Sequence, residues 1–476
     1  MYKRQLLPHR QSRHGPHISV GDVNGDNLED FYVGGAKGHE GALFIQSRNG
    51  SFKATNQRLW KSEMKYEDLG STLADFDQDG DTDLYVVSGG GGDVEGAENL
   101  LQDRLYLNDG TGSFSKATAH LPIINSSGMR VVTSDYDDDG DLDLFVGGRI
   151  VPGTYPSAAR SLLLENKNGA FVNVIQEKAP GLEKIGLVTD AKWVDFSGDG
   201  KLDIVVVGEW MRIELFEQSN DTFKNVTDQY ISEDLRGWWF SVAVEDMDGD
   251  GDLDIIAGNL GLNNKFHPSK KKPFEIFFND FDSNGTNDIV LAKTDDKGEN
   301  YIMRGKDCST QQMPFIKDKF EKYEDFALAS ITDVLPEEKL SEALNYSITD
   351  FSSVYLENVG GTYKKHILPI QAQFAPIQDI LIRDFDSDGH KDILIAGNLF
   401  GTEIETASYD AGTGLYLKGN STNEFQAIEG IESGLYLGKD LKDMAFINIG
   451  DKVYILGANN SDVIDIIQIN NSRTNL

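Results

Sequence analysis

The 476-residue chain has one cysteine, Cys308, so no internal disulfide can staple it. No Cys/His/Asn constellation surrounds that thiol in the sequence, and it reads as structural rather than nucleophilic. No apolar run reaches the roughly 18 residues that would cross a bilayer as a helix. Basic residues are scarce beside acidic ones: 44 Lys and Arg against 78 Asp and Glu leave a formal charge of −34. That balance excludes a nucleic-acid partner held through its phosphates. Catalytic signatures are missing too. There is no G-x-S-x-G, no Walker-type loop and no H-E-x-x-H, and His39, His267, His366 and His390 do not pair at zinc spacing. With 39% hydrophobic and 10% aromatic residues the chain can still bury a core.

Much of the acidity sits in one recurring loop. In Asp135–Asp143, the residues Asp135, Asp137 and Asp139 alternate, Gly140 follows, and Asp143 closes the run. Oxygens at positions 1, 3, 5 and 9, with a backbone carbonyl at position 7, suit the six to eight oxygen ligands of Ca²⁺, and the glycine permits the left-handed bend. The first half matches an EF-hand loop, but no Glu stands at position 12. The apolar run Leu144–Val146 that follows predicts a buried strand instead of a helix.

Seven such loops follow one another, with these expected metal ligands. The first is Asp22, Asn24, Asp26 and Asp30, with Asn27 in place of the glycine; the second is Asp75, Asp77, Asp79 and Asp83. The third is the loop just described. The fourth, Asp195, Ser197, Asp199 and Asp203, has one charge fewer and is expected to bind more weakly. Asp246, Asp248, Asp250 and Asp254 make the fifth, and Asp280, Asp282, Asn284 and Asp288 the sixth. Asp384, Asp386, Asp388 and Asp392 make the seventh. Up to seven Ca²⁺ ions are therefore expected, in a structural role, because a closed oxygen shell leaves no position for a substrate.

Successive first aspartates are 53, 60, 60, 51, 34 and 104 residues apart. A period near 50–60 suits a four-stranded propeller blade with long loops, so the expected fold is an all-β propeller. The second halves of blades are visible at Arg104–Gly110, Ser161–Asn166 and Ser353–Gly360, each followed by a turn and an aromatic residue. The unit reads strand a, metal loop, strand b, long connection, strand c, turn, strand d. One domain over 1–476 is expected, with a helical insertion at 306–346 where apolar residues take helical spacing. The short interval before the sixth loop leaves seven blades, the preferred count, or eight. Segments within 443–469 supply strands a, b and c of a last blade, and the strand at 5–9 is expected to complete it by pairing the termini.

Through these repeats the chain resembles the FG-GAP/VCBS-type calcium-binding β-propellers. The segments 148–156 and 259–263 and the helical insertion resemble the bacterial surface proteins that also carry an ASPIC/UnbV module. The resemblance implies a secreted or cell-surface, calcium-loaded binding or adhesion propeller, and no single activity. Met1–Gln5 translates a common sequencing-adapter end, so these residues are expected to be a scar and the chain a fragment once flanked by further domains.

Antiparallel connectivity places the metal loops at one end of the propeller and the b–c connections at the other. Those connections carry Arg149, Tyr155, Glu209, Trp210, Asn259, Asn263, Asn398 and Tyr409, aromatic and hydrogen-bonding groups of the kind that recognise a glycan or a protein. The alternative is that they pack blades and satisfy loop backbones. The expected function is non-enzymatic binding of an extracellular glycan or protein at this face. The alternative function is a polysaccharide lyase or glycoside hydrolase, with Glu209 and Glu405 facing each other across a funnel. Trp238, Trp239 and Phe240 are expected to pack between blades.

Overall fold

Each acidic loop is the turn of an antiparallel hairpin. Around the third loop Ser134 pairs with Asp143 and Val132 with Phe145, so the strands Gly128–Ser134 and Asp143–Gly148 begin where the aspartates end. The computed structural model describes residue 7 and residues 9–90, 98–403, 406–420 and 424–470. The expected scar at 1–5 lies outside these, as do Glu405 and residues 5, 6 and 8 of the expected strand 5–9.

The fold is all-β, built mostly from four-stranded antiparallel sheets. Numbered by their first strands, sheets 1 to 7 begin at Ile18–Gly21, Asp68–Ala74, Gly128–Ser134, Leu187–Val194, Ser241–Glu245, Asp379–Arg383 and Leu441–Ile449. These first strands lie side by side in that order, and Leu441–Ile449 returns against Ile18–Gly21. Within a sheet, strands a to d follow chain order. The a–b and c–d turns therefore share one end of the molecule, and the b–c and d–a connections share the other.

Every pair of neighbouring sheets encloses its own apolar layer. Leu144 and Val146 face sheet 2, where they meet Tyr85 and Leu105, while Phe145 between them faces sheet 4 and meets Ile204 and Val206. That is why Leu144–Val146 is apolar without interruption: successive side chains alternate faces, and both faces are covered. The last layer joins the chain's ends, with Ile18 and Phe31 of sheet 1 against Ile447, Leu456 and Ala458 of sheet 7. A fully buried Leu, Ile or Phe contributes about 1.5–3 kcal/mol, so these layers hold the sheets together. Trp239 packs in the layer between sheets 4 and 5, and Trp238 and Phe240 turn the other way into a cluster at the b–c end.

The sixth metal loop does not begin a sheet of the series. It lies within the connection between strands b (Asp254–Gly258) and c (Val354–Asn358) of sheet 5. That connection folds into an inserted sheet ordered Asn300–Ile302, Asp288–Thr294, Phe274–Asn279 and Leu344–Ile348. Five short helices, from Lys306–Gln312 to Glu337–Ser341, cover the inserted sheet with Met313, Ile316, Phe326 and Val334. The expected insertion at 306–346 is thus the helical part of a larger one, and its last residues, from Leu344, form a strand paired with Phe274–Phe278.

Sheet 7 has three strands among the described residues, the last being Asp465–Gln468. His9, the described end of the expected strand 5–9, forms a bridge with Thr402 instead of joining sheet 7. The segment from His9 to His17 crosses the b–c end, with His9, Gln11, His14 and His17 buried, before Ile18 starts sheet 1. Burial of these four polar side chains among the b–c connections fixes its course. Among the described residues no helix is long and apolar enough to cross a membrane.

Candidate metal loops and the opposite face

The seven loops share one internal wiring. The carboxylate at position 1 accepts the N–H of position 6: Gly80 donates to Asp75 at 3.0 Å, Gly140 to Asp135 at 3.0 Å and Gly389 to Asp384 at 3.0 Å. Asn27 takes the same role, donating to Asp22 at 2.7 Å with φ of 64°. At Gly140 φ is +94°, and a Cβ there would meet nothing within 4 Å. Backbone conformation, and not space, therefore selects glycine at this position.

Position 9 does more than the spacing suggested. Asp30, Asp83, Asp143, Asp203, Asp254, Asp288 and Asp392 are all buried, at the first residue of strand b. In Asp83, Oδ2 accepts the Phe76 N–H at 3.0 Å inside the loop, and Oδ1 accepts the Asn108 N–H at 2.9 Å from strand c. Asp143 joins Tyr136 to Asn166 in the same way, and Asp254 joins Met247 to Asn358. The position-9 aspartate ties the loop to the third strand. Burial pushes the carboxyls of Asp30, Asp83, Asp203 and Asp254 up to about 6 and that of Asp143 to about 7, with neighbouring loop aspartates adding to the rise.

Three ligand oxygens within 4.8 Å of one another occur at Asp75, Asp77 and Asp83; at Asp135, Asp137 and Asp143; and at Asp246, Asp248 and Asp250. Asp280, Asp282 and Asp288, and Asp384, Asp386 and Asp392, form two more such groups. These clusters could hold a metal ion. The first and fourth loops carry Asn24 and Ser197 in place of the carboxylate at position 3. The donor set fits a hard cation in a further respect: Asp75 Oδ1, Asp77 Oδ1 and Asp137 Oδ1 are buried with no hydrogen-bond partner. A buried carboxylate oxygen without a donor is costly. In the third and seventh loops a lysine brings positive charge beside the carboxylates. Lys178 Nζ lies 3.4 Å from Asp137, and Lys418 bonds Asp386 and, at 2.8 Å, Asp388.

At the opposite end the structure gathers most of the other expected site residues, but inside the protein. Arg149, Tyr155, Glu209, Trp210, Asn259, Asn398 and Tyr409 are all buried, and Asn263 alone of the eight is exposed. Arg149 forms an ion pair with Glu209, Tyr155 donates its hydroxyl hydrogen to Glu209, and the Trp210 indole donates to Tyr155. His9 of the crossing segment lies 3.4 Å from the same carboxylate. Burial alone would raise the Glu209 carboxyl, but the Arg149 guanidinium and His9 hold it well below the usual carboxylate range. The ion pair favours its ionised form. Asn259 accepts the N–H groups of Trp238 and Leu260, and Asn398 donates to the carbonyls of Gly412 and Lys439. The alternative reading of these residues, packing and satisfying loop backbones, describes their contacts. Glu405 lies outside the described residues.

Apolar side chains are among what this face exposes. Leu262, Ile370, Phe374, Phe400, Ile431 and Tyr436 are exposed large side chains on its connections. Sequence reading missed them because isolated apolar residues in loops carry no periodic signal.

Three segments, residues 22–86, 75–146 and 195–257, match the model of the FG-GAP-like repeat. The chain carries FG-GAP-like repeats. Each matched segment runs from one metal loop through the following loop into its strand b. The repeat thus straddles neighbouring sheets, as their shared apolar layers do. Cartilage acidic protein 1 of Mus musculus is 26% identical over 197 residues, and so is that of Homo sapiens. The aligned region is 40% of this chain and 28% of the length of these relatives. Among solved structures, an Agrocybe aegerita lectin that recognises non-reducing terminal N-acetylglucosamine aligns with 96% of this chain and 95% of its own, at 14% identity and a TM-score of 0.44. An ancestral GH74 enzyme aligns with 98% of this chain and 49% of its own, at 10% identity and a TM-score of 0.44. The Dos1 propeller aligns with 97% and 94%, at 11% identity and a TM-score of 0.41.

Proposed function

We propose that the chain is a seven-bladed β-propeller whose loops hold Ca²⁺ as structural ions and whose b–c end binds an extracellular glycan or protein without catalysis. The observation that carries this reading is the division of chemistry between the two ends. Acidic loops with unsatisfied buried carboxylate oxygens occupy one end, and exposed apolar side chains over a buried layer built on the Arg149–Glu209 ion pair occupy the other. The order of first strands, closing from sheet 7 onto sheet 1, supports seven blades, with the inserted sheet as an addition to the fifth.

Calcium bound in the loops would supply charge compensation for carboxylates that burial otherwise drives toward protonation. Asp75, Asp77, Asp79 and Asp83, and their counterparts in the other loops, would hold it. Weak extracellular modules bind Ca²⁺ at about 10⁻⁴–10⁻³ M, which matches a millimolar exterior and supports a secreted or surface location. Glu209, locked to Arg149, supports the non-enzymatic reading, since glycoside hydrolysis needs a carboxylic acid free to give up a proton. The test is a binding screen of the calcium-loaded chain against immobilised glycans and extracellular proteins. Binding weakened by charged substitutions at Phe374 and Tyr436, and unaffected by Lys substitutions on the c–d turns, supports the assignment of the face. Turnover of a polysaccharide by the same chain would overturn it.

A further inference from the structure

A cleft of about 260 Å³ opens at the b–c end between sheets 5 and 6. One wall is the d–a connection leaving sheet 5, with Gln371 and Phe374. The other comprises the b–c connection of sheet 6, with Ala411, Gly412 and Thr413, and the segment at Glu429. The two walls meet closely: a Cβ on Gly397 would come within 2.5 Å of Gln378 N and of the Pro376 carbonyl oxygen, and one on Gly412 within 3.0 Å of Ala375 Cβ. Glycine at both positions lets the connections close on each other and leaves a slot above them. Asn263 braces the outer wall by donating from Nδ2 to the Phe374 carbonyl at 3.1 Å.

We infer that this cleft is the binding subsite for a neutral pyranose at the end of a glycan. The inference rests on the proposed binding role of the b–c end and names its ligand and its position. Size is the first argument. The cleft falls below the roughly 300–1,000 Å³ of drug-sized sites, and so suits about one six-membered ring. Its chemistry is the second. Phe374 is 45% exposed, so the rim offers an aromatic ring to sugar C–H groups. Gln371, Thr413 and Glu429 add an amide, a hydroxyl and a carboxylate, a mixed donor and acceptor set for hydroxyl groups. A purely apolar ligand would leave those groups unpaired. Charge is the third argument. Among the described residues Glu429 is the one charged side chain lining the cleft and no Lys or Arg lines it, and the chain carries −34 overall. Uronic and sulfated sugars are therefore disfavoured.

The experiment is a glycan array followed by calorimetric titration of the calcium-loaded chain, using glycans ending in neutral hexoses, glycans ending in uronic acids, and a basic peptide. Phe374→Ala removes the ring, and Ala411→Trp fills the slot from an exposed position. Thermal melts establish that both variants fold. The expected result is binding of neutral-ended glycans only, weakened about tenfold by Phe374→Ala and abolished by Ala411→Trp. Neutral glycans bound equally by both folded variants would place the ligand elsewhere on the face and overturn this inference while leaving the binding role intact. Preference for uronic acids or for the basic peptide would overturn the ligand class. Absence of any glycan or protein partner for the b–c end would overturn the binding role itself.

Discussion

Asp443 accepts the backbone N–H of Ile18 through Oδ2 at 2.8 Å, joining the first strand of the last sheet to the first strand of the first across 425 positions of sequence. The same carboxylate receives Arg130 of sheet 3 on Oδ1 at 3.0 Å, and Arg130 reaches Asp190 of sheet 4 at 3.1 Å. Asp190 in turn accepts the N–H of Val242 in sheet 5, and Asp379 of sheet 6 accepts that of Met444 in sheet 7. One aspartate near the start of several first strands thus latches the next sheet, and Arg130 ties sheets 3, 4 and 7 across the middle.

Removing the latch that joins the ends should loosen the molecule at that seam. Asp443→Ala leaves the Ile18 N–H unpaired and strips Arg130 of one of its two carboxylates. We expect a loss of about 3 kcal/mol, of the order seen when one partner of a buried pair is removed. Denaturant unfolding measures it, and limited proteolysis should find new cleavage near residues 10–20. A cost within about 0.5 kcal/mol would mean that the apolar layer of Ile18, Phe31, Ile447 and Leu456 alone closes the seam.

The same centre should make stability depend on pH. Burial and the neighbouring Asp443 push the Asp379 carboxyl up to about 8, against the opposing pull of Arg130 and Lys192, with Asp190 and His17 also close to the cluster. A folded value above the ordinary carboxylate value of about 3.9 means that the folded state holds the proton more tightly than the unfolded chain. Its contribution is fully present below about pH 4 and is lost as pH rises toward 8. Asp379→Asn, which cannot ionise, should reduce the decline in melting temperature between pH 5 and pH 8. An identical decline in the variant would assign it to other groups.

Positions 5 and 9 of a metal loop should behave differently. Asp79→Ala removes an exposed carboxylate that accepts the Asp81 N–H within the loop, so it should lower the melting temperature chiefly when calcium is present. Asp83→Ala also releases the N–H groups of Phe76 and Asn108, so it should destabilise the chain with or without calcium, by about 2 kcal/mol more than Asp79→Ala in the metal-free form. Equal effects in EGTA would contradict the structural role of position 9.

Gly140→Ala tests the left-handed bend. With φ at +94° and open space around a Cβ, the substitution should cost about 1–2 kcal/mol through backbone strain alone. Weaker metal binding in the third loop, read by titration, should accompany it.

The hairpins were legible because their determinants are local. The run Asp135 to Asp143 contains both its turn residue and its ligands, and Leu144–Val146 announces a strand covered on both faces. The latches were not. Asp443 reads as an ordinary acidic residue in a strand until Ile18, 425 positions away, is placed beside it. Arg149, Tyr155 and Glu209 looked like a ligand face because polar and aromatic residues in connections usually reach solvent. Their burial depends on the segment from His9 to His17 lying over them, a tertiary fact without local pattern. The sixth loop repeats the others in sequence, and only the pairing of Ile255 with Leu356 shows that it interrupts sheet 5.

The central claim is that metal in these loops is part of the fold, and a thermal melt of the whole chain in EGTA against millimolar Ca²⁺ tests it most directly, with Asp139→Ala and Asp250→Ala beside it. A large rise in midpoint with calcium, reduced by each substitution, is the predicted result. An unchanged midpoint would contradict the account, reducing the loops to hydrogen-bonded turns and removing calcium from the argument for an extracellular location.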